Sequence, residues 1–242
     1  MSTCILVSTI TLALMNIGIF KKSLQHFLST ALITFALTPA AFADAGDIAL
    51  TAKGGTLGLG AEVTVGLAQT FNARVGYNTF SYNSNSVQSD IEYDYKVNFK
   101  SIPLLVDWHP YVDKGFRVSA GVVINNTEIT AATSQSTYTI GDYTYFASQV
   151  GMLTGRVDFN QVAPYAGIGW GNALSKGSSL TVVADIGVLF QGTPQLELIA
   201  HSPYATNPEF QRQLAKEVAD IKTTTDKIKY YPVFSLGLAY KF

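Results

Sequence analysis

The chain has 242 residues, of which 48% are hydrophobic, only 14% are charged and one is a cysteine, with a formal net charge of -1. A soluble globular protein carries about 25% charged residues, so much of this surface is built to face something other than water. The same composition excludes a disordered chain and the basic footprint of a nucleic-acid binder. A single cysteine excludes an internal disulfide and a cysteine-rich zinc cluster.

Residues 1–43 read as a signal peptide. Lys21 and Lys22 supply the basic start, Phe27 to Leu37 the apolar run, and Ala41-Phe42-Ala43 the small-x-small cleavage site. The apolar run is shorter than the roughly 20 residues a membrane-spanning helix needs. The stretch Met1 to Leu14 is apolar as well and fits no part of such a leader, which points to a true start at Met15; a signal anchor over residues 4–20 is the alternative. Cys4 leaves with the leader in this reading, and residues 44–242 form the mature protein.

From there the hydrophobicity has a period of two, the signature of strands. Ile48, Leu50 and Ala52 open a short strand before Gly54-Gly55. Leu57 to Val65 follows, with Leu57, Leu59, Ala61, Val63 and Val65 on one face and small or polar residues on the other. Phe71 to Tyr77, Ile102 to Trp108, Phe116 to Ile124, Val162 to Trp170, Leu180 to Phe190 and Tyr230 to Phe242 repeat the pattern, giving eight strands in all. In a soluble β-sandwich the second face would be charged. Here it is Gly, Ser, Thr, Asn and isolated charges, with Trp108, Phe116, Trp170, Phe190, Tyr240 and Phe242 near strand ends. Apolar-out, polar-in strands with aromatic girdles predict an all-β fold, an eight-stranded antiparallel transmembrane β-barrel. The connections around Ala68, His109 to Gly115 and Gly171 to Ser179 are short, as periplasmic turns are. Thr79 to Ser89, Asn126 to Phe159 and Gln191 to Lys227 are long, as extracellular loops are. Gly54-Gly55 is predicted to be a two-residue hairpin turn on the long-loop side. This reading places the protein in a bacterial outer membrane, with lipid as its surroundings.

The last loop carries one amphipathic helix signal, predicted over Pro208 to Lys222. Asn207 caps, Pro208 suits the first helical position, and Phe210, Leu214, Val218 and Ile221 share a face opposite Glu209, Arg212, Gln213, Lys216, Glu217 and Asp220. Such a helix is placed to cap the barrel mouth and control access, to rest on the outer leaflet, or simply to pack on loop residues.

Strand arithmetic adds expectations for the lumen. A turn centred on Ala68 sets Glu62 opposite Arg74, one centred on Val112 sets Asp107 opposite Arg117, and one centred on Ser175 sets Asp185 opposite Tyr165. A turn at Gly54-Gly55 brings Asp47 beside Glu62, where it shares Arg74. These charge pairs fill the interior either as a polar core or as a path for a small polar or cationic solute. His201-Ser202 is the one candidate for nucleophilic chemistry, of the kind a lipid A-modifying enzyme would use. Adjacent residues in an extended segment point opposite ways, so no catalytic role is assigned. Metal-ligand spacings, phosphate loops and nucleotide motifs do not occur, and no cofactor is expected.

With this layout, the sequence resembles a family of small proteobacterial outer-membrane barrels, nearest to the carbapenem-resistance-associated ornithine-uptake proteins. The shared stretches are Gly76-Tyr77-Asn78, Ala163-Pro164-Tyr165-Ala166-Gly167-Ile168-Gly169, Gly192-Thr193-Pro194 with Glu197-Leu198, and Tyr231-Pro232-Val233. The resemblance implies an eight-stranded barrel without a wide pore that takes part in passage of basic amino acids, as a narrow channel or uptake route. The competing expectation is a structural or ligand-binding barrel that acts through its extracellular loops. The terminal Tyr240-Lys241-Phe242 resembles the signal read by the outer-membrane assembly machinery, with Tyr240 and Phe242 as its aromatic positions.

Overall fold

A computed structural model describes residues 45–242 except 89–90, 112–113, 135–136, 176 and 226–228, with backbone alone at 84–88, 91–93, 95, 133–134, 221 and 223–225. The leader, Met15 and Cys4 lie outside these residues, as does Val112 at the second turn.

Eight strands close into an antiparallel barrel: β1 (Ile48–Gly55), β2 (Gly58–Ala68), β3 (Phe71–Gln88), β4 (Ile91–Trp108), β5 (Phe116–Asn125), β10 (Val162–Trp170), β11 (Leu180–Phe190) and β13 (Tyr230–Lys241). Each pairs with the next in that order, and β13 returns to β1. The alternation is what allows closure. In β5, Arg117, Ser119, Val123 and Asn125 are buried while Val118, Ala120 and Val122 are exposed. Outside the barrel, residues such as Leu59, Val75, Val106, Val182 and Ile186 form an exposed apolar belt, far beyond the scattered apolar residues of a soluble surface. Paired aromatics stand near both rims: Phe116 on Trp170 at 6.0 Å and Tyr240 on Phe242 at 5.3 Å at the short-turn end, and Phe190 on Tyr230 at 5.6 Å at the long-loop end.

Two of the sequence expectations for the connections change. The β1–β2 turn is Thr56-Leu57, enclosed by the partners Gly55 and Gly58, while Gly54 and Gly55 belong to the strand. Gly55 is needed there because a Cβ would lie 2.0 Å from the Phe234 carbonyl oxygen, and the register lets Leu57 tuck into an apolar cluster in the lumen. Of the expected loop Thr79 to Ser89, residues 79–88 are strand: β3 and β4 continue past the barrel as a long hairpin, paired from Asn78–Ser101 to Gln88–Ile91.

That hairpin seeds a second body at the long-loop end. The upper part of β4 leaves β5 and pairs with β6 (Glu128–Ser134), which pairs with β9 (Met152–Asp158), which pairs with β12 (Gln195–His201). A small hairpin, β7 (Thr137–Ile140) with β8 (Tyr143–Phe146), the short helix α1 (Ala147–Val150), a 3-10 turn (Pro203–Thr206) and the helix α2 (Pro208–Thr225) accompany this sheet. They enclose an apolar core of their own, in which Ile129, Leu153 and Val157 of the sheet meet Tyr138 and Ile140 of the hairpin and Phe210 and Leu214 of α2.

Candidate functional site in the barrel lumen

Three cations and three carboxylates occupy the middle of the barrel. Arg74, projecting from β3, is 4% exposed and reaches three strands at once: Asp107 on β4 at 2.5 Å, Glu62 on β2 at 3.1 Å and Asp185 on β11 at 3.3 Å. Arg117 on β5 lies 2.7 Å from Asp185 and 3.8 Å from Asp107, and Lys53 on β1 lies 2.6 Å from Glu62. Hydroxyls complete the network, Ser119 donating to Asp107 at 2.6 Å and Ser235 to Asp185 at 3.2 Å. The planar guanidinium, with five donors, makes such bridging available to arginine and not to lysine. Because the charges balance, the interior is buried without an uncompensated ion.

The wall formed by β10, β11 and β13 makes room for these long side chains with glycines. Gly167 and Gly169 on β10, Gly187 on β11 and Gly237 on β13 face inward. A Cβ on Gly169 would meet the Arg117 guanidinium at 2.6 Å, and one on Gly187 would meet the Tyr165 hydroxyl at 2.4 Å. Above the charges, towards the long loops, Leu105, Val123, Ala163, Tyr165, Leu189 and Val233 form an apolar layer. Below them is a cavity with room for about one water molecule, bordered by Thr51, Thr64, Asn72, His109 and Ala173. Burial pushes the His109 imidazole, in the turn beyond β4, down to about 4, leaving it neutral.

The sequence placed Glu62, Arg74, Asp107, Arg117, Asp185 and Tyr165 on the inward face but assigned some wrong partners. Glu62 stands opposite Gly76, and Arg74 opposite Thr64, because the turn encloses Gln69-Thr70 and a bulge at Gly66/Ala68 slides the strands. Asp107 opposes Ser119, and Asp185 opposes Gly169 rather than Tyr165, whose partner is Leu189. These shifts are even, so the inward face is preserved and Arg74 still meets Glu62 diagonally. Asp47 is not beside Glu62: it pairs with Lys241 at 2.7 Å, and Lys53 takes the place assigned to it. Lys53 escaped the sequence reading, although a lone lysine in phase with Thr51 and out of phase with Leu50 and Ala52 was the available signal.

In the second body, Asn207 Oδ1 accepts from the Glu209 and Phe210 amides at 2.9 and 3.2 Å and starts α2, which runs three residues beyond the expected Lys222. Phe210 and Leu214 are buried and Val218 is half-buried; the Ile221 side chain lies outside the described residues. Gln213 and Glu217, expected to face solvent, are instead buried and accept from the Asp142 and Gly141 amides at 3.1 Å each, clamping the β7–β8 turn. The helix rests on β12, β7 and the 3-10 turn, so it closes the core of this body rather than the barrel mouth. His201 and Ser202 do not form a dyad. The imidazole Nε2 lies 3.2 Å from Thr154 Oγ1, while the Ser202 hydroxyl donates to the Gln149 carbonyl.

A closed eight-stranded barrel, occluded by its own charges and carrying a structured body over one end, is the class these features define. Among solved structures, Acinetobacter baumannii CarO2 shares the fold at 18% identity and a TM-score of 0.53, over 82% of this chain and 100% of that one. Acinetobacter baumannii CarO does so at 17% identity and a TM-score of 0.51, over 86% of this chain and 100% of that one. The likeness is one of fold. No protein-family model matches the sequence, and no curated protein does.

Proposed function

We propose that the protein is an outer-membrane barrel giving small polar solutes, basic amino acids among them, a narrow and intermittently open route. In this orientation the short turns and both strand termini face the periplasm, and the α2 body faces outwards. Outer-membrane lipid then surrounds the apolar belt. Tyr240 and Phe242, both exposed at the end of β13, are available to the assembly machinery. The observation that carries the reading is the lumen itself: three cations and three carboxylates share partners, so several pairings of the same charges exist. An arginine that already spans three carboxylates can drop one and keep two, which lowers the cost of letting a charged guest compete. Uptake of ornithine and of neutral amino acids into proteoliposomes tests it. Protein-dependent flux, altered in selectivity by the Glu62→Ala, Arg74→Ala double variant, is expected; absence of protein-dependent flux for any small solute removes the transport reading.

The second reading is a surface barrel that acts through its outer body. It is favoured by that body's independent core around Phe210 and Tyr138, more structure than a passive loop needs. Ligand capture by cells displaying the protein, lost when the α2 body is unfolded by Phe210→Ala, is its test. A lipid A-modifying activity has no assembled His201-Ser202 pair to support it; mass spectrometry of lipid A with and without the protein checks it directly.

A further inference from the structure

The β10–β11 connection is a short turn that ought to lie in water, since buried backbone needs partners that loops rarely find. Here it folds into the barrel. Asn172, Ala173 and Ser175 are nearly buried and Leu174 is 0% exposed. Its seat is made of small residues: Ala49 on β1, Ala239 on β13 and Val183 on β11 surround Leu174. The turn is also held by polar contacts at its backbone. Lys241 donates to the Leu174 carbonyl at 3.3 Å, Asn172 Oδ1 accepts from the Leu174 amide at 3.0 Å, and Arg117 donates to the Gly171 carbonyl. Gly171, at φ 92°, provides the left-handed step that bends the chain inward.

Directly above the turn is the water-sized cavity, and its lining is incompletely satisfied. Thr51 Oγ1, Thr64 Oγ1 and His109 Nε2 are buried, border that cavity and have no hydrogen-bond partner among the described residues. In a permanently closed core such groups only carry a desolvation cost, and apolar residues of equal shape would serve better. They are useful when water enters. Arg117 joins the two features, because the guanidinium bound to Asp185 in the charge network is the one that holds Gly171.

From this geometry we propose that residues 171–175 of the turn are a releasable plug closing the periplasmic end of the lumen, with Leu174 as its stopper and Thr51, Thr64 and His109 as the wetted wall exposed when it leaves. The plug is a statement about motion of the turn; its role as a solute exit rests on the transport reading above.

The test uses the full-length protein in proteoliposomes with Cys4→Ser and a reporter Ser175→Cys, a substitution close to isosteric, treated with a membrane-impermeant maleimide. With Leu174 in place, slow but complete labelling of folded protein is expected. Leu174→Ala, which empties the stopper's seat, should raise the labelling rate at least tenfold. A reporter that stays inert with and without Leu174→Ala, while reacting in denaturant, overturns the proposal. Hydrogen exchange on the otherwise unsubstituted chain provides the independent reading: amides of 172–175 exchanging as slowly as those of β10 and β11 would also overturn it. Solute flux measured on the same vesicles separates the two ideas. Labelling that responds to Leu174→Ala without flux in any variant keeps the plug and removes transport; flux with an inert turn keeps transport and removes the plug.

Discussion

At the scale of single residues, Arg74 decides how the lumen is held. Its guanidinium serves Glu62, Asp107 and Asp185, so its removal leaves three buried carboxylates short of a partner. Breaking a buried ion pair from one side costs about 3–5 kcal/mol. Arg74→Ala is therefore expected to lower barrel stability by at least that amount in urea titrations. Arg74→Lys should recover only part of it, because one ammonium cannot span three strands. His109 predicts a pH dependence. Burial lowers its pKa from 6.5 to about 4, so between these values the unfolded chain binds the proton and the folded chain does not. Stability from this group is thus fully present above pH 6.5, falls as the pH drops towards 4, and the loss amounts to at most about 3 kcal/mol. Unfolding midpoints compared between wild type and His109→Gln over that range should show a shallower acid slope in the variant.

At the scale of elements, the outer body and the barrel rest on different interactions and should fail separately. α2 begins at a side-chain cap, and Asn207→Ala should cost about 1 kcal/mol of local stability, seen as faster proteolysis within 208–225. Phe210 is fully buried among Tyr145, Tyr204 and Leu214, so Phe210→Ala should cost about 3–5 kcal/mol in the outer body. The urea midpoint of the barrel, followed by the fluorescence of Trp108 and Trp170, should stay unchanged in the same variant. A simultaneous loss of both would mean that β3 and β4, which run through the two bodies, couple them into one cooperative unit.

At the scale of the whole molecule, the proposed lipid setting can be tested at the exposed apolar belt. Ile186, mid-strand on β11, is 54% exposed. Ile186→Arg is expected to lower folding stability in bilayers by about 2–4 kcal/mol, the cost of a charge near the midplane of a transmembrane barrel. An equal charge at Tyr230, by the rim, should cost no more than about 1 kcal/mol. Matched penalties at the two positions would contradict a membrane-embedded belt.

The sequence by itself determined the eight barrel strands, their inward faces and the start of α2. Each follows from a local, periodic signal: alternation has a period of two, and a capped apolar stripe has the period of a helix. Parity is robust, which is why Glu62, Arg74, Asp107, Arg117 and Asp185 all face the lumen despite wrongly centred turns. Only the tertiary structure decided that Asp185 meets Arg74 and Arg117 and which residues stand directly opposite, because a bulge at Gly66/Ala68 and an inward-folded β10–β11 turn moved the registers by even steps. It alone decided that Asp47 belongs to Lys241 and Lys53 to Glu62, a consequence of closing β13 onto β1. It also decided the outer sheet: β6, β9 and β12 lie between residues 128 and 201, and they acquire partners only once the upper part of β4 offers them an edge. Non-local pairing leaves no periodic mark strong enough to separate a short strand from a loop. The seat of Leu174 is the extreme case, since alanines on β1 and β13 mean nothing in sequence until barrel closure sets them around one side chain.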